Sequence, residues 1–537
     1  MNEQNRYARS FGEQCTPRAL VTGALGAVVI TASSMYVALR MGALPWPTIF
    51  VAILSLTVLK ALGRTNLNEI NVTHTAMSAG GMVAGGLAFT LPGLWMLDGN
   101  ATVDTLPLIA VTVSGALLGV VFTALIRRHF VEVEQLPFPM GIAASETVLA
   151  GDSGGGKAKL LFSTLGATAV FTALRDWLGW IPGAWMSAGL MAKNIFFGVW
   201  IAPMAVGIGY IIGPLYTGVW FLGALLAYFG IIPLGLSFGF FESVDAANAF
   251  KNSLGIGLMV GTGLGILVKG VLPRAREIYG SLFRAESGGV SRLLLPTLLA
   301  FVALLLTFGA KMPAVPSLLT ILGVWLTTVM AASITGQTGI DPMEIFGIIV
   351  LLAIRLLIPL GMHEAFFVAA VVAIASGVAG DVLNDFKAGY LLKTDPRAQM
   401  YSELVGAVVG AFVSVAVLML MVKAFGKMGP GTELPAPQAY AVSTMVGGLP
   451  NPTAFFVGLL IGAALYLVNV PGMTLGIGVY LPMAISTTVF LGGLASFLFR
   501  RASASAKERG VIVASGMLGG EGVTGVLIAL IKVLTMS

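Results

Sequence analysis

Two long stretches of this 537-residue chain contain no Lys, Arg, Asp or Glu. One runs from Asn194 to Phe241, and the other runs for 66 residues from Leu434 to Phe499. A helix needs about 20 apolar residues to cross a bilayer, so each stretch must cross more than once. The whole chain is only 10% charged, whereas soluble domains have roughly 25% charged residues. The sequence therefore predicts a multi-pass integral protein of an inner or plasma membrane.

The remaining composition excludes several other classes. The net charge of +6 resides in short loops, which is typical of cytoplasmic membrane loops and does not indicate nucleic-acid binding. The single cysteine, Cys15, cannot form an intramolecular disulfide or a cysteine-based metal site. Metalloprotease and serine-hydrolase motifs are absent from the sequence. We expect no catalytic residue, no cofactor and no metal site. The first apolar run lacks a clear cleavage site, so we expect a retained span.

Hydropathy predicts an all-α fold with about 14 membrane-spanning helices, in a range of roughly 12 to 16. The stretch GIGYIIGPLYTGVWFLGALLAYF at 207–229 recurs as GIGVYLPMAISTTVFLGGLASFL at 476–498, which is 269 positions later. Two shorter pairs occur in the same order along the chain, 139–148 with 396–405 and 257–267 with 516–527. An internal repeat of this kind predicts two duplicated membrane halves, 1–290 and 291–537.

The basic loops indicate that the two halves have opposite orientations. In the first half Lys269 and Arg274 follow the last predicted span, whereas in the second half Arg500 and Arg501 precede it. If both loops are cytoplasmic, the equivalent spans run in opposite directions. This predicts inverted repeats with broken helices, an arrangement in which secondary transporters place their sites near the midplane.

Seven segments in order along the chain carry a further pattern, which includes Leu-Pro-Phe-Pro at 136–139 and Tyr-Leu-Pro at 480–482. They are 71–97, 131–152, 207–219, 334–349, 382–400, 476–501 and 510–531. Together they resemble the oligopeptide transporter family, in particular its prokaryotic members related to yellow-stripe-like metal-chelate transporters. The resemblance implies ion-coupled uptake, with H⁺ as the expected ion, of small peptides or metal chelates. Met140 stands where we expect an acidic residue in the family, so no role of that carboxylate is carried over.

The stretch NLNEINVTHTAMSAGG at 66–81 places polar side chains between two apolar segments. At membrane depth, such groups persist only when they are buried in protein or line water. We therefore predict one wall of a hydrated substrate site, while a short aqueous loop is the alternative. The predicted substrate-binding residues are Asn68, Glu69, Asn71, Thr73 and His74.

The stretch TGQTGIDPMEIFG at 335–347 is interpreted as the counterpart of 66–81 in the second half. Polar, interrupted segments at matching positions of two halves indicate a transporter site. Tyr210 and Tyr480, beside the repeated Gly-Ile-Gly, are predicted to contact a ligand, with aromatics at the membrane interface as the alternative. The predicted substrate-binding residues of 335–347 are Gln337, Thr338, Asp341 and Glu344.

Two carboxylates, Glu146 and Glu521, are predicted to couple transport to protons. Glu521 lies in an apolar stretch, where a carboxylate is costly unless it is paired or functional. An ion pair with Arg355 is the alternative for Glu521. Neighbouring residues on a helix do not face each other, so Arg175 and Asp176 are each expected to meet another segment. The charged stretch 381–403 is interpreted as a solvated loop, with an ion-paired gate as the alternative.

The leading hypothesis is a secondary active transporter that moves small peptides or peptide-like metal chelates by alternating access, coupled to protons. An intramembrane enzyme acting on a lipid-linked substrate and a channel are the alternatives. The expected partners are the substrate, the coupling ion and the lipid bilayer, and the sequence leaves a homodimer open. Accumulation that depends on an ion gradient separates the first hypothesis from the other two.

Overall fold

The computed structural model describes residues 7–42, 44, 48–151, 156–274, 294–339 and 341–536. Ten helices in these ranges are long and apolar enough to cross a membrane, or up to eleven if one bent pair counts as a span. The described strands, β1 (Ala184–Met186) and β2 (Gly198–Trp200), form a short antiparallel hairpin with Ala184 opposite Trp200. An all-α polytopic membrane fold is therefore confirmed. The count of about 14 spans and the inverted repeats stay predictions.

The first half of the chain contains thirteen described α-helices. They are α1 (Phe11–Gln14), α2 (Pro17–Met41), α3 (Thr48–Ala61), α4 (Leu67–Ala88), α5 (Pro92–Leu97), α6 (Thr105–Arg127), α7 (Pro139–Gly151), α8 (Gly156–Thr172), α9 (Ala188–Met191), α10 (Pro203–Ile212), α11 (Pro214–Leu225), α12 (Ile232–Ser237) and α13 (Val244–Gly265). Several helices continue into wider π-helical turns, which are Arg128–Val133, Ala173–Trp177, Leu226–Ile231 and Ile266–Val271.

The second half contains ten described α-helices. They are α14 (Leu294–Leu304), α15 (Ala314–Thr338), α16 (Met343–Leu357), α17 (Met362–Leu391), α18 (Pro396–Phe425), α19 (Pro437–Gly447), α20 (Pro452–Leu467), α21 (Gly472–Tyr480), α22 (Met483–Ala502) and α23 (Ala504–Met536). A π-helical turn, Leu305–Gly309, follows α14.

Local sequence explains where several of these helices begin and end. Thr16 precedes α2 and its side chain accepts a hydrogen bond from the Ala19 amide at 3.0 Å, as an N-cap residue does. Asn66 caps α4 in the same way through the Glu69 amide at 2.8 Å. Gly42 ends α2 with a φ of 63°, in the left-handed region that favours glycine.

Internal contacts divide the chain into two compact units. Unit 1 comprises Met1–Lys159, Gly270–Ser443 and Ala529–Ser537, and unit 2 comprises Leu160–Lys269 and Thr444–Ile528. Each unit draws segments from both predicted halves of the sequence. The predicted halves 1–290 and 291–537 concern duplication of the sequence. The two compact units do not test that duplication, so it stays a prediction.

Helix α17 lies at the centre of unit 1, where α4, α6, α7, α15 and α16 pack around it. Helix α18 packs on α2, α4 and α6. Glycines bring α4 and α18 unusually close together. A Cβ placed on Gly410 would lie 2.4 Å from the Gly80 Cα, and a Cβ on Gly406 would lie 2.0 Å from the Ala76 carbonyl oxygen. Close backbone approach through small residues is a common packing mode of membrane helices.

Unit 2 contains two helices that are interrupted at matching positions. Helices α10 and α21 begin at Pro203 and Gly472, which are 269 positions apart. After each break, α11 and α22 begin at Pro214 and Met483, which are again 269 positions apart. This is the offset of the Gly-Ile-Gly repeat in the sequence. The repeated sequence therefore forms the same short helix, break and following helix in both places.

The contacts of these helices are also reciprocal. A Cβ on Gly209 of α10 would lie 1.8 Å from the Val489 carbonyl oxygen of α22. A Cβ on Gly478 of α21 would lie 1.8 Å from the Trp220 carbonyl oxygen of α11. Gly478 follows Gly209, and Val489 follows Trp220, by 269 positions. Each short helix thus packs against the helix that follows the other break.

Helices α11 and α22 meet each other through residues of the same repeat. The Phe221 and Phe490 rings, 269 positions apart, stack with centroids 4.4 Å apart. Trp220 Nε1 donates a hydrogen bond to Ser486 Oγ at 3.0 Å, and Thr217 packs against Gly493. From Thr217 to Phe221 along α11, the contact moves back from Gly493 to Phe490 along α22, so the two helices cross in an antiparallel sense.

We predict that Gly410→Leu lowers the thermal stability of the purified protein in detergent. The introduced leucine side chain has no space beside Gly80. Overpacking a tight contact typically costs about 1–3 kcal/mol. Gly166 of α8 has nothing within 4 Å of the position of an added Cβ. Gly166→Leu is therefore the control and should melt close to wild type. Equal melting temperatures for Gly410→Leu and wild type would contradict the close α4–α18 contact.

Candidate functional site

Three carboxylates meet inside unit 1. Asp381 and Asp385 lie one turn apart on α17, Glu403 lies on α18, and all three are 0% exposed. Each offers an oxygen within 4.8 Å of the other two. Among the residues that the structure describes, no lysine or arginine forms an ion pair with any of them. We call these three residues the carboxylate cluster.

Helix α4 presents two polar side chains to this cluster, one turn apart. His74 Nδ1 lies 3.4 Å from Asp385 Oδ1. Ser78 Oγ lies 3.0 Å from Asp381 Oδ2 and 2.6 Å from Asp385 Oδ2. A hydroxyl has one proton and can donate it to only one carboxylate at a time. The second contact suits a carboxyl group that itself carries a proton and donates it to Ser78 Oγ.

The cluster has the chemistry of a proton or cation site. An ionised carboxylate that is buried without a counter-charge costs several kcal/mol. Asp381 Oδ1 accepts no hydrogen bond from the described residues. Protonation removes this cost, and a bound cation offsets it, because carboxylate oxygens are ligands of hard cations. None of the contacts described here requires all three carboxylates to be ionised at the same time.

Gln399 of α18 holds the helices around the cluster in position. Its Nε2 donates a hydrogen bond to the Asp385 carbonyl oxygen at 2.7 Å and contacts Thr75 Oγ1 at 3.4 Å. One amide therefore joins α18 to both α17 and α4. Glu403 follows Gln399 by four residues, so it lies on the same face of α18. This places Glu403 towards α17.

The interpretation of 381–403 as a solvated loop is wrong. Asp381 and Asp385 belong to the uninterrupted helix α17, and only residues 392–395 separate it from α18. Asp395, in this connection, caps α18 and accepts a hydrogen bond from the Arg397 amide at 2.8 Å. The hydrogen bond from the Arg397 side chain lowers the pKa of Asp395 below its usual value. The spacing of four between Asp381 and Asp385, which puts both on one helical face, was the signal that the sequence analysis missed.

The predicted polar wall at 66–81 is one continuous helix and not an aqueous loop. Asn68 Nδ2 donates to the Leu392 carbonyl oxygen at 2.9 Å and to Thr394 Oγ1 at 3.1 Å. Asn71 Nδ2 also donates to Thr394 Oγ1, at 3.2 Å. These two side chains join α4 to the connection between α17 and α18.

Glu69 and Thr73 point instead towards α2 and the chain before it. Glu69 accepts hydrogen bonds from Arg18 Nη2 and Thr16 Oγ1, each at 2.6 Å. Thr73 Oγ1 lies 3.4 Å from the Ala19 carbonyl oxygen of α2 and 3.0 Å from the Glu69 carbonyl oxygen of its own helix. Of the five residues predicted in this stretch, His74 is the one that reaches the carboxylate cluster. The other four make contacts that position α4.

The stretch 335–347 differs from 66–81 in structure, because it comprises the end of α15, a turn and the start of α16. The side chains of Gln337 and Thr338 lie outside the described residues. Asp341 lies in the turn with its carboxylate oxygens buried, and Glu344 is buried in the first turn of α16. Met343, between them, packs against Gly377, one turn before Asp381. This segment therefore reaches α17 close to the carboxylate cluster.

Three other predicted residues do not belong to the carboxylate cluster. Tyr210 and Tyr480 are buried in unit 2, where the Tyr210 hydroxyl donates to the Lys507 carbonyl oxygen at 3.3 Å. Glu146 is exposed on α7. Nothing in these positions tests a role in binding or proton coupling, so those roles stay predictions.

Glu521 is fully buried in unit 2 and forms an ion pair. Arg175 donates to Glu521 Oε1, and the Met204 amide at the start of α10 donates to Oε2 at 2.8 Å. The ion-pair alternative therefore identified the right kind of contact, and the partner that the structure shows is Arg175. Arg175 thus meets another segment, as expected, but it also binds Asp176 through two hydrogen bonds of 2.7 Å, so the premise that these neighbours do not face each other is wrong. Both residues lie in the π-helical turn Ala173–Trp177, where the long Arg175 side chain folds back onto Asp176.

We predict that Glu521→Gln lowers the stability of the purified protein by at most about 3–5 kcal/mol, the cost of breaking a buried ion pair, because Asp176 still pairs with Arg175. The exposed Glu146→Gln is the control and should melt like wild type. Arg175→Met combined with Glu521→Leu should recover part of the loss, because no buried charge then faces Glu521's position. A Glu521→Gln protein of wild-type stability that has lost gradient-driven accumulation would contradict the structural role and favour proton coupling.

Comparison with known proteins adds independent findings. The family model described as OPT oligopeptide transporter protein matches residues 14–273 and 290–532. A putative oligopeptide transporter of Haemophilus influenzae is 26% identical, over 93% of this chain and 92% of its own length. The probable metal-nicotianamine transporter YSL5 of Arabidopsis thaliana is 34% identical over 27% of this chain and 23% of its own length. A putative oligopeptide transporter of Saccharomyces cerevisiae, YGL114W, is 24% identical over 44% of this chain and 37% of its own length.

These relatives are all named as transporters, and none of their printed names describes an enzyme. The family match extends over both halves of the sequence and includes all three residues of the carboxylate cluster. Together with the apolar helices, it supports transport across a membrane as the function. The resemblance drawn from the sequence motifs is thereby confirmed. The chain belongs to the OPT oligopeptide transporter family.

Proposed function

We propose that this chain is a secondary active transporter in which protons that bind the carboxylate cluster drive substrate uptake. The observation that carries the proposal is the full burial of Asp381, Asp385 and Glu403 without a lysine or arginine partner in the described part of the chain. Carboxylates inside membrane helices are rare, and they often mark proton relays in transporters. Family membership supports transport, and the cluster supports the coupling.

In the proposed cycle, protons enter the cluster and reduce the repulsion between its three carboxylates. Ser78 alternates between donating to an ionised aspartate and accepting from a protonated one, as its two short contacts allow. His74, beside Asp385, stabilises the ionised state of that aspartate when the imidazole is protonated. Because the cluster joins α4, α17 and α18, its charge state biases how these helices pack.

We propose alternating access between inverted repeats, with halves at 1–290 and 291–537. The reciprocal packing of α10 on α22 and of α21 on α11 supports this arrangement. A rotation that exchanges α11 and α22 reverses their direction, because they cross in an antiparallel sense. If both helices cross the bilayer, the rotation axis lies in the membrane plane, as in other inverted-repeat transporters. We place the protein in an inner or plasma membrane, and a homodimer stays a prediction.

The proposed cargo is a small peptide or a peptide-like metal chelate. The relative that matches over nearly its full length is named for oligopeptides, and the plant relatives that match over about a quarter of this chain are named for metal-nicotianamine. His74 is the strongest of the predicted substrate-binding residues, because it lies beside Asp385 of the carboxylate cluster. Asp341 and Glu344 follow, because Met343 between them packs against α17 at Gly377. Asn68, Glu69, Asn71 and Thr73 act as interhelical contacts in this proposal.

The coupling is tested with Asp385→Asn and Glu403→Gln in sealed liposomes. Both variants should lose accumulation under an inward-acid gradient and fall to the level seen without a gradient. Exchange of labelled for unlabelled substrate at equal pH should persist, because exchange needs binding and access but no net proton movement. Asp245→Asn, at an exposed carboxylate of α13, is the matched control and should accumulate substrate like wild type.

Three results would contradict the proposal. Variants that accumulate substrate like wild type would show that the cluster does not couple protons to transport. Uptake that needs a divalent cation and is indifferent to the pH gradient would assign the same oxygens to a metal ion instead. Loss of both accumulation and exchange in a folded variant would place the residue in substrate binding rather than in coupling.

A further inference from the structure

Unit 2 contains a buried cation that the proposed transport cycle does not use. Lys251 of α13 is 3% exposed, and among the described residues no aspartate or glutamate forms an ion pair with it. Its Nζ lies 3.0 Å from the Tyr480 carbonyl oxygen and 3.4 Å from the Val479 carbonyl oxygen. These are the last two residues of α21, immediately before the break that leads into α22.

The remaining contacts of Lys251 complete a cage for an ammonium group. Nζ donates a hydrogen bond to Asn252 Oδ1 at 2.7 Å and lies 5.0 Å from the centroid of the Tyr228 ring. An ammonium has three donors, which matches the three oxygens around it. The final carbonyls of a helix carry negative partial charge and lack partners within the helix. The cage therefore offers oxygen and aromatic groups to a cation, with no carboxylate.

Lys269 makes nearly the same set of contacts at the end of α20, but in an exposed position. Its Nζ lies 2.9 Å from the Leu467 carbonyl oxygen, 3.0 Å from Asn469 Oδ1 and 5.9 Å from the Tyr466 ring centroid. Water can satisfy the Leu467 carbonyl when Lys269 is absent. Water has far less access to the carbonyls at Lys251, because that site is buried. The two lysines thus differ in burial and hardly at all in chemistry.

We propose that the break between α21 and α22 is a cation site that the chain fills with its own Lys251 ammonium group. Broken helices in secondary transporters present their C-terminal carbonyls to an exchangeable ion. Here the cation is tethered to α13 and stays in place. Removing the side chain leaves a site for a small primary ammonium ion, which restores the lost contacts. This inference does not depend on the substrate or on the coupling ion of the transporter.

The test compares the thermal stability of Lys251→Ala with and without n-propylammonium chloride in detergent. Propylammonium carries the three carbons and the nitrogen that alanine lacks relative to lysine. We expect Lys251→Ala to melt below wild type and propylammonium to restore most of the difference. Propylammonium should not raise the melting temperature of wild type, because Lys251 fills the site. It should not raise that of Lys269→Ala either, because the Lys269 position is exposed. Tetramethylammonium, which cannot donate hydrogen bonds, should not restore stability.

Two further variants keep the test decisive if Lys251→Ala does not fold. Lys251→Arg keeps a cation and should retain most of the wild-type stability, whereas the apolar Lys251→Met should lose as much as Lys251→Ala. A Lys251→Met protein that melts like wild type would overturn the proposal. An equal effect of propylammonium on wild type, Lys251→Ala and Lys269→Ala would also overturn it. Neither readout uses transport, so a failure here is distinct from a failure of proton coupling.

Discussion

Polar groups inside a membrane protein have to find their partners within the protein, and the arrangement of unit 1 depends on this constraint. Helix α4 shows how it operates. Asn68 and Asn71 bind the connection between α17 and α18, while Glu69 binds Arg18 and Thr16. These contacts need close packing, which the glycines between α4 and α18 permit. The polar stretch 66–81, which lies between two apolar segments, therefore holds the helices of the carboxylate cluster together.

The same constraint separates two kinds of buried carboxylate. Glu521 has a guanidinium and a backbone amide as partners, so its charge is balanced where it lies. Among the described residues, the carboxylates of Asp381, Asp385 and Glu403 face one another and the His74 imidazole, and the Ser78 hydroxyl lies between the two aspartates. An ion pair of the first kind stabilises a fold. A cluster of the second kind is balanced only when protons or a cation bind, which is what a coupled transporter needs.

The membrane fold and the repeated broken helices could be predicted from the sequence, whereas the carboxylate cluster and the partner of Glu521 could not. The charge-free stretches require a membrane. The Gly-Ile-Gly repeat precedes two breaks at matching positions, although Gly213 and Pro214 form one break and Pro482 forms the other. The carboxylate cluster was missed because 381–403 has many charges on average, and the average hides the helical spacing of Asp381 and Asp385. The pairing of Glu521 with Arg175 spans 346 positions. Such a contact depends on tertiary packing, so Arg355 was an equally good candidate in the sequence.

In the proposed transport cycle, substrate and protons cross the membrane together. The most direct measurement follows the pH inside sealed liposomes that contain the purified protein and a trapped pH-sensitive dye. A mixture of small peptides and iron chelates is added outside at equal pH, and the uptake of each compound is read by mass spectrometry. We expect the lumen to acidify only when a transported compound is present. Uptake of a compound with no change in lumenal pH would contradict it.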